Sequence, residues 1–565
     1  MIDFIIEIQK EKIINGLNDL FIIRPRIKLE INNELIELLA WGDPIYLPDF
    51  EARLRNNPNP EFVIKNIYGH YYFILFNKKR RIFFIGNSLF SILPLFYSIK
   101  DDNLTISNSP IALSEREEFQ IDKRFILEQI LFNYQLFNFC CIKGIFLLPV
   151  NSYFSIISGK TFIEKHTSIE DFFTSNPKPW RKSIKYLSDL FIDSSSKYFP
   201  NKPFVISLTG GFDGRTLVSI GIFYKKNFST YCFGKENSPD VILSSSLSKN
   251  AGLSHINILL DQDYVINNGL TSGLDFIRNS FGSANFTRAH YLYAVKKLSD
   301  LTEIMITGNF GSEIFRNSQI SGAAYSPNFR NLFATKNFKK AISRIQESSE
   351  FKFLNKDSLK EEWESLKNDL ASLPCFNLEY KSLTRNQQFY KLIFEEVFRK
   401  YYGAEILNQS HFIINRTPYL DINFLTEILK SQLAGVNSSF ITRNPLIRFK
   451  GQVLYAHIIN KTQPLFGKLV TEKGYSPKDL LTFKGNVKIL SSFIKNKFSY
   501  QRSSINDPYS VKQTLVINKS FWYSQLINPD LFNLNKVEIE SANSNFYTTS
   551  MCNILSQNWW CNQLS

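Results

Sequence analysis

A short glycine-containing loop holds the residues whose types and spacing are best suited to chemistry. An apolar run, 204–208, leads into Thr209, Gly210 and Gly211, and a helical pattern follows. Paired glycines let backbone amides approach a ligand closely, and the free amides at the start of a helix favour phosphate. Asp213 would repel a bare phosphate, so its place there suggests a Mg²⁺ ligand beside phosphate oxygens.

Two common phosphate-binding motifs are excluded for this loop. No G-K-[ST] follows the glycines, so it is not a Walker A loop, and it lacks the G-x-G-x-x-G spacing of dinucleotide-binding folds. The alternative interpretation is a tight strand-to-helix turn in which Asp213 only caps the helix.

Residues 208–213 resemble the S-G-G-x-D-S pyrophosphate loop of N-type ATP pyrophosphatases, specifically the asparagine synthetases and their relatives. Further segments resemble motifs of that family in the same order along nearly the whole chain. They are 68–76, 94–97 and 142–150 for the N-terminal glutaminase domain, and 231–240, 251–255, 307–315 (S-G-E-G-x-D-E-L-F) and 416–421 (R-x-P-F-L-D) for the synthetase domain.

The resemblance implies that ATP and Mg²⁺ are the cofactors and assigns roles to individual residues. The implied phosphate loop is Thr209, Gly210, Gly211 and Asp213, with Asp213 as metal ligand. The residues that would line the adenosine are Leu208, Phe233, Thr307 and Gly308.

The family also uses a lysine to offset charge on the leaving pyrophosphate. Lys473 is the first candidate here and Lys468 the second, and a solvated surface lysine is the alternative for each.

The synthetase motifs contain departures from the family pattern. Gly214 stands where the family has Ser, Asn309 replaces the acid of the second loop, and Ser312 replaces its metal-binding Asp. Glu313 remains, and it is the candidate second metal ligand and catalytic carboxylate, with a helix-capping acid as the alternative. The loss of one carboxylate predicts weaker Mg²⁺ binding.

The glutaminase motifs are more deeply altered. The family's N-terminal Cys nucleophile is absent, because position 2 is Ile2 and the first cysteine is Cys140. The stretch 87–93 also lacks the Arg-Asp pair that clamps glutamine. Glutamine hydrolysis is therefore not expected.

The pattern of elements predicts two domains. Residues 1–170 contain short β-branched and aromatic runs with one helix at 123–136, which predicts an α+β unit; the resemblance implies a glutaminase-like (Ntn-type) sandwich. A proline-containing linker, 171–183, follows. In 184–565 strands alternate with helices, which predicts an α/β parallel sheet; the resemblance implies an ATP pyrophosphatase fold.

Composition limits the function classes. The chain has 565 residues, of which 44% are hydrophobic and 21% charged, both values of a globular protein. Its net charge of +15 would fit nucleic acid, an acidic membrane surface or a phosphorylated ligand, and a solvated basic surface is the alternative. Its six cysteines lack C-x-x-C spacing and its six histidines lack i, i+4 spacing, so a structural zinc or other transition-metal site is not expected. The start of the sequence does not read as a signal peptide, and we expect a cytoplasmic protein without membrane or nucleic-acid partners.

The resulting expectation is ATP-dependent amide formation through an acyl-adenylate. The partners would be a carboxylate substrate and either ammonia or a substrate amine, and a precursor peptide or a biosynthetic partner protein is a candidate. The resemblance extends to β-lactam synthetases and lasso-peptide cyclases, which also lack the N-terminal Cys. The alternatives are an ammonia-dependent asparagine synthetase and a catalytically inactive nucleotide-binding scaffold.

Overall fold

The computed structural model describes residues 3–9, 17–114, 120–315, 326–438, 450–471, 473–499, 507–535, 537 and 549–564. The strands are β1 (Ile5–Ile8), β2 (Phe21–Ile23), β3 (Ile27–Asn32), β4 (Ile36–Gly42), β5 (Ile45–Tyr46), β6 (Ile67–Tyr68), β7 (Tyr71–Asn77), β8 (Ile82–Asn87), β9 (Phe96–Lys100), β10 (Asn103–Ser107), β11 (Phe146–Leu147), β12 (Ser152–Ile157), β13 (Lys160–Lys165), β14 (Phe204–Ser207), β15 (Phe228–Gly234), β16 (His255–Leu259), β17 (Ile304–Ile306) and β18 (Ile414–Arg416).

The helices that carry most of the remaining chain are Phe50–Asn56, Pro60–Asn66, Lys123–Phe132, Trp180–Ser196, Asp213–Phe223, Pro239–Ala251, Gly269–Asn279, Ala289–Ser299, Gly311–Phe315, Pro327–Phe333, Phe338–Gln346, Ser349–Lys352, Lys360–Ala371, Arg385–Leu392, the π-helical Ile393–Tyr402, Gly403–Ser410, Ile422–Ile428, Lys450–Thr462, Pro464–Lys468, Phe483–Ser499, Val511–Ile517, Lys519–Ser524 and Thr549–Leu564. None of the helices in these ranges combines the length and the apolar character that a membrane crossing requires.

The N-terminal part is built from two antiparallel sheets that pack face to face. Their strand orders are β11-β9-β10-β1-β2 and β13-β12-β8-β7-β4-β3. Side chains alternate across a strand, so Trp41 of β4 points between the sheets while Ala40 points to the helices on the outer face. Phe4 crosses the gap, with its ring centroid 4.9 Å from Trp41 and 5.0 Å from Tyr72.

The second part is organised around a parallel five-stranded sheet in the order β16-β15-β14-β17-β18. Both faces are covered, since Phe204 and Ile206 of β14 belong to one apolar cluster and Val205 to another. The chain order reverses between β14 and β17, and ligands of such sheets bind outside the carboxyl ends of the strands at that point.

Most predicted strands and helices are present, and two differences have local causes. The helix predicted to reach residue 136 ends at Phe132, because Asn133 adopts a left-handed conformation with φ of 67°. Strand β18 was not predicted, since three residues are too short for a periodic pattern. The mixed α/β content is thus confirmed, and the boundaries at 171–183 stay a prediction.

Two buried cations of the second part hydrogen-bond backbone carbonyls of the N-terminal part. Arg399 and Lys400, both on the π-helical segment, donate to the carbonyls of Leu148 and Phe137 at 2.8 Å each. Both cations also contact Glu396, at 2.9 and 2.6 Å. Burial lowers the pKa of Lys400 to about 8.

Candidate nucleotide site

The two predicted nucleotide loops meet at the switch point of the parallel sheet. Loop 208–212 follows β14 and loop 307–310 follows β17, and these strands are hydrogen-bonded neighbours. A Cβ added to Gly308 would lie 2.7 Å from Asp213 Cβ, and one added to Gly311 would lie 3.1 Å from Asp213 Oδ1. The second loop can press against Asp213 only because both positions are glycine.

A cavity of about 90 Å³ opens between these loops. Its size suits a phosphate group rather than a whole nucleotide, since sites for complete ligands usually exceed roughly 300 Å³. The residues that line it are Gly210, Gly211, Phe212, Asp213, Ser312, Phe315, Gln452, Tyr455, Thr471 and Lys473. Four sequence-predicted site residues therefore share one cavity.

Lys473 reaches this cavity from a tight turn. The Gly474 amide donates to the Thr471 carbonyl at 2.9 Å, and Gly474 has the positive φ of 81° that such a turn requires. Lys468, the second candidate, is exposed and is not among the residues that line the cavity. The geometry thus favours Lys473 over Lys468.

Asp213 is held by the second loop. Ser312 Oγ donates to Asp213 Oδ2 at 2.7 Å, and the Tyr419 hydroxyl donates to the Asp213 backbone carbonyl at 3.1 Å. Mg²⁺ in nucleotide sites often takes one or two carboxylates and completes its shell with phosphate oxygens and water. Asp213 with the Ser312 hydroxyl fits such a shell, although no group of three His, Cys, Asp or Glu side chains gathers among the described residues.

Glu313 is directed elsewhere. It is 7% exposed and does not line the cavity that contains Asp213. The Tyr402 hydroxyl donates a hydrogen bond to the Glu313 carboxylate. The pKa of Tyr402 is raised well above its usual value, mainly by burial and next by the negative charge of Glu313. Its proposed role as metal ligand would require the side chain to rotate, and the role stays a prediction.

The first loop already has partners for two of its amides. The Gly210 amide donates to Asp240 Oδ1 at 3.0 Å, and the Gly211 amide donates to Thr209 Oγ1 at 3.2 Å. Burial raises the pKa of Asp240. A phosphate in this cavity would have to displace the Asp240 carboxylate or bind beside it, so Asp240 is a competitor that the motif does not indicate.

The remaining predicted residues lie around the loops rather than in the cavity. Leu208 is fully buried and its amide donates to the Tyr231 carbonyl at 2.9 Å. Thr307 is 5% exposed and its hydroxyl donates to Asn415 Oδ1 at 2.9 Å. Phe233, at the end of β15, packs its ring against His290 at 5.4 Å.

Arg215 supports the first loop, and the motifs do not indicate it. Its guanidinium is buried and donates to the carbonyls of Gly210 at 3.3 Å and Leu469 at 2.7 Å. It therefore ties the first loop to the segment that leads into Lys473. Burial lowers the pKa of Arg215 to about 10. The available signal was that Arg215 is the one basic residue of the helix Asp213–Phe223.

Two departures from the family pattern have a structural basis. A Cβ at Gly214 would lie 2.2 Å from the Ser207 carbonyl oxygen, so the serine of the family does not fit this backbone. Phe310, where the family motif has Gly, keeps a left-handed φ of 70°. Its ring packs 4.7 Å from Phe398 and 5.2 Å from Tyr402, which offsets the strain.

The N-terminal sheets offer no replacement cysteine within the described residues. Cys140 and Cys141 are buried, at 2% and 1% exposure, and burial raises the pKa of the Cys141 thiol well above its usual range. In the stretch that would clamp glutamine, Asn87 Nδ2 donates to the Leu93 carbonyl at 2.8 Å. Ile2 lies outside the described residues.

Comparison with known proteins adds little. No family model matches the chain, and no curated protein matches it. Among solved structures, a match is glutamine phosphoribosylpyrophosphate (PRPP) amidotransferase from B. subtilis complexed with ADP and GMP, at 9% identity and a TM-score of 0.15. The match covers 43% of this chain and half of that one. A likeness this weak carries no argument about fold or activity.

Proposed function

We propose that this protein forms amide bonds from ATP, a carboxylate and an amine through an acyl-adenylate, and that it is a divergent relative of the asparagine synthetases. The observation that carries the proposal is the cavity shared by Gly210, Gly211, Asp213 and Lys473. Three of them belong to one contiguous motif, and Lys473, nominated separately and 260 residues after Asp213, lines the same cavity at the point where an open parallel sheet binds its ligands. Under this proposal the two parts of the chain are a glutaminase-like sandwich and an ATP pyrophosphatase domain.

In the proposed reaction a substrate carboxylate oxygen attacks the α-phosphorus of ATP. The bond from that phosphorus to the bridging oxygen breaks, and pyrophosphate leaves with the electron pair. An amine nitrogen then attacks the acyl carbon, loses a proton, and displaces AMP. Negative charge on the departing pyrophosphate would be offset by Lys473 and by the Gly211 amide, which would exchange Thr209 Oγ1 for a phosphate oxygen. A bound Mg²⁺, held by Asp213 and Ser312, would supply further positive charge.

Ammonia taken from glutamine is not part of this proposal. The first cysteines of the sequence, Cys140 and Cys141, are buried. The nitrogen would therefore come from free ammonia or from an amine of the substrate, which includes an intramolecular amine in a peptide.

A nucleotide-binding scaffold is the second candidate, and one arrangement favours it. Asp240 accepts the hydrogen bond of the Gly210 amide, and the Glu313 carboxylate is bonded to Tyr402 rather than available to a metal ion. Groups that catalysis would need are thus engaged within the protein. ATP–pyrophosphate exchange over a panel of carboxylates separates the candidates. Exchange that depends on one carboxylate supports the ligase. ATP binding without exchange for any carboxylate supports the scaffold.

A further inference from the structure

A second cavity, of about 310 Å³, lies where the N-terminal sheets meet the β18 edge of the parallel sheet. The residues that line it are Pro25, Arg26, Lys28, Trp41, Gly42, Asp43, His70, Leu93, Ile406, Ser410, Ile414 and Asn415. It shares no lining residue with the candidate nucleotide cavity. Its volume falls within the lower range of small-molecule sites, which begins at about 300 Å³.

Apolar side chains form much of its wall. Trp41 and Leu93 are each 2% exposed, and Ile406, from the helix that precedes β18, is also 2% exposed. These surfaces come from both parts of the chain, so the cavity exists only in the assembled protein. A ligand with a hydrocarbon or aromatic body would bury that body here.

Two cations stand at the cavity. Arg26 directly precedes β3 and Lys28 lies at the register break between Ile27 and Leu29; both are exposed, and both line the cavity. Neither forms an ion pair with any residue that the structure describes. Both lie close enough to Glu303 to lower the pKa of its carboxyl, although its hydrogen bond to Lys202 is the larger cause.

The one lining carboxylate is already neutralised. Asp43 accepts two hydrogen bonds from Arg416, at 2.9 Å each. His70 also lines the cavity, and burial lowers its pKa to about 4, so it is neutral near neutral pH. The charge that the cavity presents to a ligand is therefore positive.

We propose that this cavity binds a small amphipathic carboxylate, with its carboxylate between Arg26 and Lys28 and its apolar body against Trp41 and Ile406. Charge-assisted hydrogen bonds from the two cations would give selectivity for anions. The site is distinct from the nucleotide cavity, and neither the residues nor the test depends on the proposed ligase activity.

The test is calorimetric titration of the full-length protein with butanoate, hexanoate and octanoate. Octylamine and octanol are titrated as well, because they have an eight-carbon chain like octanoate but no negative charge. We expect saturable binding of the carboxylates that tightens with chain length. The double variant Arg26→Gln/Lys28→Gln should weaken it by about tenfold or more. Ser410→Phe, which fills the cavity, should abolish it.

The matched control is Lys79→Gln/Arg80→Gln. These two exposed cations lie in the turn between β7 and β8 and do not line the cavity, so this variant should bind as the unmodified protein does. The proposal is overturned if none of the carboxylates binds saturably, if octylamine or octanol binds as tightly as octanoate, or if Arg26→Gln/Lys28→Gln keeps full affinity.

Discussion

The hydroxyl of Ser312 donates a hydrogen bond to Asp213 Oδ2 at 2.7 Å and so joins two loops that are 99 residues apart. Under the proposed relationship to the asparagine synthetases, Ser312 stands where their second loop has a metal-binding Asp. The chain would then have kept a contact between the loops while a neutral donor took the place of a negative charge. This exchange would let the loops close without a metal ion, at the cost of a weaker cation site.

Ser312→Asp should restore the second carboxylate and make the protein depend on Mg²⁺ for stability. In EDTA the free energy of unfolding of Ser312→Asp should be about 1 to 4 kcal/mol lower than that of Ser312→Ala, because two adjacent carboxylates repel each other. The lower figure applies to charges in water and the higher one to charges near a protein surface. Mg²⁺ should recover that loss. Chemical denaturation with and without Mg²⁺ is the measurement, and equal stability of both variants in both conditions would argue against a cation position here.

Lys473→Ala should slow carboxylate-dependent ATP–pyrophosphate exchange by about 100-fold, because one donor to a charged transition state typically contributes that much. Lys468→Ala is the matched control, since Lys468 is exposed and does not line the cavity. It should leave exchange unchanged. Equal losses in the two variants, or none in Lys473→Ala, would remove Lys473 from the proposed site.

Gly214→Ser should destabilise the fold by about 1–3 kcal/mol, because the new Cβ would meet the Ser207 carbonyl and force the backbone apart. The control is Gly467→Ala, where the nearest atom to an added Cβ is 3.5 Å away, an ordinary contact. Urea denaturation compares them. If Gly214→Ser is as stable as Gly467→Ala, the tight approach of helix and strand described here is wrong.

Asp43→Asn should weaken the contact between the N-terminal sheets and β18. The Asp43 and Arg416 side chains are 13% and 12% exposed, and removal of one partner leaves a largely buried charge at a cost of about 3 kcal/mol. Glu51→Gln is the control, because the side chains of Glu51 and its partner Arg55 are 49% and 57% exposed. It should lower the free energy of unfolding by less than about 0.5 kcal/mol. The two variants are compared by thermal unfolding, and similar losses would contradict the assigned role of the Asp43–Arg416 pair.

Acidification should destabilise the protein through His70. Burial lowers its folded-state pKa from 6.5 to about 4, so between these values the unfolded chain binds a proton that the folded chain does not. Stability is therefore lost as the pH falls from about 6.5 to about 4. Other buried histidines contribute to the same loss, so the effect of His70 is measured as the difference in stability loss between a His70 variant and the unmodified protein. His70→Asn should lose less stability over this window than the unmodified protein, and an identical pH profile would rule out His70 as a contributor.

Site residues that are contiguous in the chain could be predicted from the sequence, and contacts between distant segments could not. The loop of Gly210, Gly211 and Asp213 was identified because its residues are contiguous and have a helix after them. The contact of Asp240 with the Gly210 amide, and that of Arg215 with the Leu469 carbonyl, depend on segments far apart in the chain. No spacing rule predicts them.

Side-chain direction also depends on the tertiary fold, as Glu313 and the two candidate lysines show. Glu313 adjoins Ser312 in sequence, yet the helical turn that starts at Gly311 directs it toward Tyr402 instead of the cavity. The resemblance placed Lys473 first and Lys468 second without showing where either side chain lies, and the turn at Gly474 brings Lys473 to the loops.

The most direct test of the proposed ligase activity is ATP–pyrophosphate exchange by the unmodified protein and by Asp213→Ala over a panel of carboxylates. We predict exchange that requires one class of carboxylate and falls by at least about 100-fold in Asp213→Ala, with circular dichroism showing that the variant is folded. A carboxylate-dependent exchange signal that persists unchanged in Asp213→Ala, or no exchange with any carboxylate in the unmodified protein, would contradict it.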